Sequence, residues 1–359
     1  MTSWNVRALG MAALFMAVLV VPSGAEASAV DTSGATAAQP TDSGAVAATA
    51  ADPTATTSRR RHKHPLRRVA LGVSMTAVGG LATAQAFTAS VGRAPAIWSI
   101  WNDWGGPNNA FPDAGLLDGL RAQGSVPMII WQPVDSAHLN NPSYRYSRIA
   151  SGAFDKYIRQ WARDAKAWGG TVILRFAPEM DGYWFPWGMG RFTNTPARFV
   201  AAWRHIYNIF RGRHGVGARN VKFLWSPLRP CTCKKSLFPG NRYVDYVGMS
   251  AYNWPTRTRP KMSMLQAYTK KAHQLMKLSK KPIIVAETGT TGRGKDRATW
   301  IRNGYPAVYK ALPRIKAIVY FNMDVRSDGQ PDWRLTEAAG TLAAYRKIVA
   351  DKRFQGSVK

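Results

Sequence analysis

From Val69 onward, short apolar stretches alternate with segments of helical periodicity. The apolar stretches are nearly continuous, which is typical of parallel strands buried on both faces. Between them, apolar residues recur every three or four positions, as in the segment from Phe154 to Trp168. Eight strands are predicted: Val69–Met75, Ala96–Trp101, Val126–Trp131, Thr171–Phe176, Val221–Trp225, Tyr243–Met249, Pro282–Ala286 and Ala317–Phe321.

Eight strand–helix units in a row predict an α/β fold, the (β/α)8 or TIM barrel. An open, doubly wound sheet is the alternative. That fold would need a nucleotide-binding fingerprint at the first turn, which Gly72-Val73-Ser74-Met75 does not provide. In a barrel, the segments at the carboxyl ends of the strands build the active site.

The sequence before the barrel divides into three parts. Residues 1–29 combine a basic residue, an apolar stretch and small residues, which predicts a secretory signal peptide, with an uncleaved membrane anchor as the alternative. Residues 30–58 are rich in Ala, Thr, Ser and Pro and predict a disordered linker. Residues 59–68 form a basic run, and residues 69–353 form the predicted barrel domain.

The composition of the chain indicates a large core and a strongly basic protein. The chain of 359 residues has 46% hydrophobic residues, enough for a large core, and a formal net charge of +29. Most of that charge belongs to the barrel domain, which implies attraction to polyanions. No nucleic-acid-binding motif accompanies it, and an export signal favours an anionic cell-wall polymer as the partner. Cys231 and Cys233 are too sparse for a zinc site, so neither metal nor cofactor is predicted.

Two glutamates follow predicted strands. Glu179 comes after the fourth strand, among Trp184, Trp187 and other aromatic residues, and Glu287 ends the seventh. A barrel can bring such strand ends into one opening. Two carboxyl groups in an aromatic cleft are what hydrolysis of a glycosidic bond requires, one to protonate the leaving oxygen and one to attack the anomeric carbon.

The segment Arg175–Trp187 resembles the signature of glycoside hydrolase family 26, whose members include β-mannanases and some mixed-linkage β-glucanases. Further segments agree in order from residue 69 to residue 350: Trp101-Asn102-Asp103-Trp104, Trp131-Gln132-Pro133, Trp225-Ser226-Pro227, Ala251-Tyr252-Asn253-Trp254, Ala286-Glu287-Thr288-Gly289 and Asp332-Trp333-Arg334.

The resemblance implies a (β/α)8 barrel and a reaction that retains anomeric configuration. By that implication Glu179 is the acid/base, Glu287 is the nucleophile, Tyr252 steadies the nucleophile and Trp184 lines the sugar site. The strand-end rule adds further predicted substrate-binding residues: Trp104, Trp131, Trp254 and Asn322. Arg175 is added to them because, if it shares the inward face of its strand, it can keep Glu287 ionised.

The sequence thus predicts a secreted, monomeric, retaining endo-β-glycanase acting on β-1,4-linked polysaccharide of the mannan or glucomannan type. A mixed-linkage β-1,3-1,4-glucanase is the alternative within the same class. A barrel that binds carbohydrate or polyanions without catalysis is the alternative of another class. Pro178 favours that last alternative, because mannanases of the family usually carry His directly before the acid/base, and the proline side chain can neither donate nor accept a hydrogen bond.

Overall fold

The computed structural model describes residues 66–75, 80–106, 109–230 and 236–358. Its eight strands are β1 (Ala70–Ser74), β2 (Ile97–Gly105), β3 (Val126–Asp135), β4 (Val172–Phe176), β5 (Val221–Trp225), β6 (Tyr246–Asn253), β7 (Ile283–Thr290) and β8 (Ile315–Phe321). The helices are α1 (Gly80–Val91), α2 (Ala114–Ala122), α3 (Tyr146–Ala150), α4 (Asp155–Trp168), α5 (Pro196–Arg211), α6 (Met264–Leu278), α7 (Gly294–Ala311) and α8 (Thr341–Ala350).

The strands form a closed parallel barrel in sequence order. All five residues of β1 pair with β8, a closure that an open sheet cannot have, so the predicted (β/α)8 barrel is confirmed and the doubly wound alternative is excluded. After α8, the Val69 amide donates to the Arg353 carbonyl and the Gly356 amide to the Val69 carbonyl. The end of the chain is therefore fastened beside the start of β1.

Several sequence predictions concern segments outside the described residues. These segments are the signal peptide and linker over residues 1–58, most of the basic run over 59–68, and both Cys231 and Cys233. Among the helices that the structure describes, none is long and apolar enough to cross a membrane.

Side chains of alternate strand residues fill two layers. Inside the barrel lie Ala70, Ile97, Met128, Ile173, Leu224, Ile284, Ala286, Ala317 and Val319. The intervening strand residues point outward and pack under the helices in a second, larger apolar cluster. The interior is tight, because a Cβ atom at Gly72 would lie 2.8 Å from Ile97 Cβ and 2.9 Å from a Val319 methyl group. Both strand faces are thus buried, which explains the continuous apolar runs.

The helices begin and end where the sequence provides caps. Thr195 accepts a hydrogen bond from the Arg198 amide at the start of α5, and Ser263 and Gln266 form a capping box at the start of α6. Helix α4 ends at Gly169, whose φ of 76° is a left-handed conformation that glycine adopts without strain. These helices cover the outer faces of the strands and hold their carboxyl ends in place.

Four strands are longer than their apolar runs indicated. β2 continues to Gly105, β3 to Asp135, β6 to Asn253 and β7 to Thr290. Pairing continues through polar positions, for example from Asn102 to Trp131 between β2 and β3. Several predicted site residues therefore lie on strands, where pairing fixes their backbone.

Candidate active site

The segment that follows β4 has an unusual backbone. Ala177 has a φ of 45° and Glu179 a φ of 52°, both in the left-handed region that residues with a side chain seldom occupy. Hydrogen bonds hold the strained turn: the Ala177 amide donates to the Trp131 carbonyl at 2.9 Å, and the Glu179 amide to the Ser226 carbonyl at 3.0 Å. Strain of this kind persists only where surrounding structure enforces it, and it is typical of functional sites.

Glu287 reaches the barrel mouth because of a register shift. Strict alternation along β7 would point Glu287 outward, since Ile284 and Ala286 already point into the barrel. Between β6 and β7 the pairing passes from Met249–Val285 directly to Ser250–Glu287, so one residue of β7 is unpaired. Such a bulge re-aims the side chains that follow it.

Two donors hold the Glu287 carboxylate. Arg175 Nη1 makes a short ion pair with Oε1, and the Tyr252 hydroxyl donates to Oε2 at 2.7 Å. Arg175 lies on β4 and is fully buried, with its Nη2 donating to the Ser250 hydroxyl at 3.1 Å. One guanidinium therefore connects Glu287 on β7 with Ser250 on β6. The structure brings together three residues predicted for the site, Glu287, Arg175 and Tyr252.

Glu179 is also buried at the barrel mouth, the opening formed by the carboxyl ends of the strands. Burial and, next, the negative charge of Glu287 raise its pKa to about 7, against the opposing effects of Arg175 and a hydrogen bond with Ser250. Only 4% of Glu179 is exposed, and its Oε1 has no hydrogen-bond partner among the described residues. Such a carboxyl group can hold a proton near neutral pH and donate it to a bound group.

Lys271 was not predicted as a site residue. It extends from α6, and its ammonium donates to the carbonyls of Ser250 at 2.6 Å and Leu228 at 2.8 Å. Burial lowers the pKa of Lys271 to about 8, while the charges of Glu179 and Asp181 oppose that shift. The sequence does carry a signal, because Lys271 lies on the helix stripe that also contains Tyr268 and Leu275.

Asp181 braces the other side of this opening. Its two carboxylate oxygens accept hydrogen bonds from the amides of Leu228 at 2.7 Å and Arg229 at 3.0 Å. Because Lys271 binds the Leu228 carbonyl, the segment after β5 is held from both sides. Asp181 therefore fixes the position of the segment that contains Leu228 and Arg229.

Trp184 follows Glu179 in the segment after β4, between Tyr183 and Phe185, whose rings contact it. It is partly buried, and its indole N–H has no partner among the described residues. A Cβ atom at Gly182 would lie 2.8 Å from the Trp184 ring, so the turn fixes the ring by close contact. The neighbouring Trp187 is buried and donates to the Pro178 carbonyl at 2.8 Å, which fastens the residue before Glu179.

Trp104 and Trp131 do not lie at the mouth. Both point outward under the helices, and their ring centroids are 4.6 Å apart within a cluster that includes Tyr157 and Phe176. Trp131 is fully buried and its indole donates to the Tyr157 hydroxyl. The substrate-binding role predicted for them does not fit these positions, because neither ring has an open face. Trp101, three residues before Trp104, packs instead with the cluster at the barrel mouth.

The cluster at the barrel mouth lies beyond β6 and β8. The Trp333 ring is 4.9 Å from Tyr252 and 6.0 Å from Trp254, and the Arg259 guanidinium covers the Trp254 ring at 4.5 Å. Asn322 accepts a hydrogen bond from the Leu335 amide at 2.7 Å. The structure thus places Trp254 beside Tyr252, while the Asn322 side chain oxygen holds the segment that contains Trp333.

Asp103 is a further acid near this end of the barrel, on β2. Burial raises its pKa to about 7, a hydrogen bond with Ser136 acts in the opposite direction, and the charge of Asp135 adds to the rise. Within the described ranges no group of three or more His, Cys, Asp or Glu residues is arranged to hold a metal ion.

A sequence model of glycosyl hydrolase family 26 matches residues 128–310, about half of the chain. The protein belongs to glycosyl hydrolase family 26. The matched range contains Glu179, Glu287, Arg175 and Tyr252, which are the residues that meet in the opening.

Named relatives agree with the family. Endoglucanase H of Acetivibrio thermocellus is 33% identical over 241 residues, which is 65% of this chain and 25% of that protein. A mannan endo-1,4-β-mannosidase of Bacillus subtilis is 30% identical over 126 residues, which is 34% of this chain and 32% of that protein. The aligned part of this family 26 chain thus spans about a quarter to a third of these relatives.

Solved structures show the same fold. Bacillus subtilis mannanase BCman superposes with a TM-score of 0.58 at 20% identity, covering 82% of this chain and 88% of that one. A modular endo-β-1,4-mannanase of Cellulomonas fimi gives 0.58 at 15% identity, covering 80% and 72%. At these identities the likeness establishes the barrel fold that this family 26 chain shares with them.

Proposed function

We propose that this family 26 protein is a retaining endo-β-glycanase in which Glu179 is the acid/base and Glu287 the nucleophile. The observation that carries the proposal is the contrast between the two carboxyl groups. Glu287 accepts from Arg175 and Tyr252, whereas burial and Glu287 raise the pKa of Glu179 to about 7. Two carboxyl groups in such different environments divide naturally into a proton donor and an ionised partner.

The reaction would proceed in two steps. First, Glu287 attacks the anomeric carbon while the glycosidic C–O bond breaks and the Glu179 proton passes to the departing oxygen. Then Glu179, now ionised, takes a proton from water, and the water oxygen displaces Glu287 from the anomeric carbon. The positive charge of Arg175 balances Glu287 between turnovers. The Tyr252 hydroxyl orients the attacking carboxylate.

The substrate would be a β-1,4-linked polysaccharide. The relatives named as mannosidases favour mannan or glucomannan, whereas the longest of the alignments described above is with a protein named endoglucanase. Mixed-linkage β-glucan is therefore the second candidate. Pro178 leaves the residue beside Glu179 without a hydrogen-bonding side chain, so recognition at the cleaved sugar would depend on other groups.

The decisive experiment compares wild type with Glu287→Ala on mannan, glucomannan, mixed-linkage β-glucan and xylan, measured by release of reducing ends. Glu337→Ala is the matched control, because Glu337 is an exposed glutamate. Loss of turnover in Glu287→Ala alone supports the assignment. Added azide should restore glycosyl transfer to Glu287→Ala and yield an α-glycosyl azide, which identifies the nucleophile rather than a merely damaged protein.

Export and contact with an anionic wall polymer complete the proposal, on the strength of residues 1–29 and the net charge of +29. We also propose that the protein is a monomer. Binding of a β-glycan with no release of reducing ends by wild type would instead support the non-catalytic barrel. Fractionation of cells producing the full chain tests export, since an anchored protein would stay with the membrane.

A further inference from the structure

The end of the barrel opposite Glu179 and Glu287 carries many basic side chains and few acids. Five helices that lead into the next strand have a basic residue in their last turn: Arg121, Lys166, Arg211, Lys277 and Lys310. The segments between helix and strand add Arg93, Arg213, Arg219, Arg242, Lys280, Lys281 and Arg314. Asp245 is the one acid in the described part of these segments, and it is paired with Arg211 at 3.0 Å.

Helix dipoles account for only part of this pattern. Basic residues in a last turn are favoured by the negative end of the helix. Lys280, Lys281 and Arg314, however, lie beyond the helices and gain little from them. Acids are present at the other end of the barrel, such as Asp296 in the first turn of α7. The basic residues beyond the helix ends therefore need another explanation.

A groove lies on this basic end, between the end of α6 and the turn that precedes β6. It has a volume of about 530 Å³, and its lining includes Lys277, Lys280 and Lys281. The Ser279 hydroxyl donates to Asn241 Oδ1 at 2.6 Å and ties its two walls together. None of the three lysines forms an ion pair with another residue that the structure describes, so their charges are available to a ligand.

We propose that this basic face, made of Arg242, Lys277, Lys280, Lys281 and Arg314, binds a linear polysaccharide that carries carboxylates. The groove lining contains no aromatic ring for stacking on bases, which favours a charged glycan over single-stranded nucleic acid. The inference rests on the proposed function in one respect: the catalytic opening faces away and stays free for a neutral β-glycan.

The test uses the full chain and polygalacturonate as the probe, with dextran as the neutral comparison. The variant Lys277→Gln/Lys280→Gln/Lys281→Gln removes three charges from the groove. Its matched control, Lys156→Gln/Lys270→Gln/Lys295→Gln, removes three charges from exposed lysines elsewhere. We expect the groove variant to bind polygalacturonate at least about tenfold more weakly and the control variant to stay within about twofold of wild type.

Both triple variants should keep wild-type melting temperatures and hydrolysis of a soluble neutral β-glycan. Glu287→Ala should bind polygalacturonate like wild type, so a failure of the proposed catalysis leaves this inference intact. Equal losses of affinity for polygalacturonate in the two triple variants would show that net charge rather than the groove drives binding. That result would overturn the inference, as would absence of wild-type binding or tighter binding to duplex DNA or anionic lipid vesicles at equal charge concentration.

Discussion

Arg175 Nη2 lies 3.1 Å from the Ser250 hydroxyl, while the other end of the same guanidinium fork binds Glu287. Ser250 in turn forms the hydrogen bond that partly offsets the raised pKa of Glu179. The protonation of one glutamate is therefore coupled to the anchoring of the other through a serine.

Ser250→Ala tests this coupling. Loss of a hydrogen bond to an ionised carboxylate disfavours the charged form, so the pKa of Glu179 should rise by about one unit above its value near 7. Wild-type kcat/KM should fall as pH increases through about 7, because the acid must be protonated. In Ser250→Ala this fall of kcat/KM, the alkaline limb of the pH profile, should occur at higher pH. An unmoved limb, with full activity at low pH, would show that Ser250 does not act on Glu179.

Lys271→Met tests the buried ammonium. Removing a positive charge near Glu179 should raise the pKa of Glu179, and the carbonyls of Ser250 and Leu228 lose their donor. We expect an upward shift of the alkaline limb together with a lower kcat. Lys270→Met is the control, since Lys270 is the exposed neighbour on the same helix. An equal shift of the alkaline limb of kcat/KM in both variants would mean that the Lys271 charge does not specifically lower the pKa of Glu179.

Glu179→Gln should change the pH dependence of stability. The pKa of Glu179 is higher in the folded protein than the ordinary value of 4.5, so the folded state favours the protonated form. Protonation of Glu179 therefore stabilises the folded protein. This contribution to the unfolding free energy is complete below pH 4.5 and is lost as pH rises through about 7. The variant has no such loss. From pH 4 to pH 9 it should gain up to about 3 kcal/mol in unfolding free energy relative to wild type.

Urea titrations at several pH values provide this measurement. Glu337→Gln is the matched control, because it makes the same change at an exposed glutamate. If the difference in unfolding free energy between Glu179→Gln and wild type is the same at every pH, Glu179 titrates as an ordinary glutamate and the prediction is wrong.

The fold, and the location of Glu179 and Glu287 at one end of the barrel, were predictable for specific reasons. Burial of both strand faces gives the sequence eight apolar runs, and an aromatic segment follows the fourth of them. The same burial hides which strand residues point inward, so Trp104 and Trp131 could not be told from Trp101. The bulge beside Ser250, which turns Glu287 into the opening, leaves no trace in local sequence. Lys271 comes from a helix that reads as an ordinary amphipathic one.

A pair of tryptophan substitutions separates the opening from the core. Trp131 is fully buried among other rings, so Trp131→Ala should lower the unfolding free energy by about 3–5 kcal/mol. Trp184 is partly buried with an unpartnered indole N–H, so Trp184→Ala should cost less stability and raise KM or lower kcat severalfold or more. Denaturation and steady-state kinetics on one soluble β-glycan measure both effects. The reverse pattern, with Trp131→Ala stable but poor in substrate binding, would mean that the outward aromatic layer contacts the glycan.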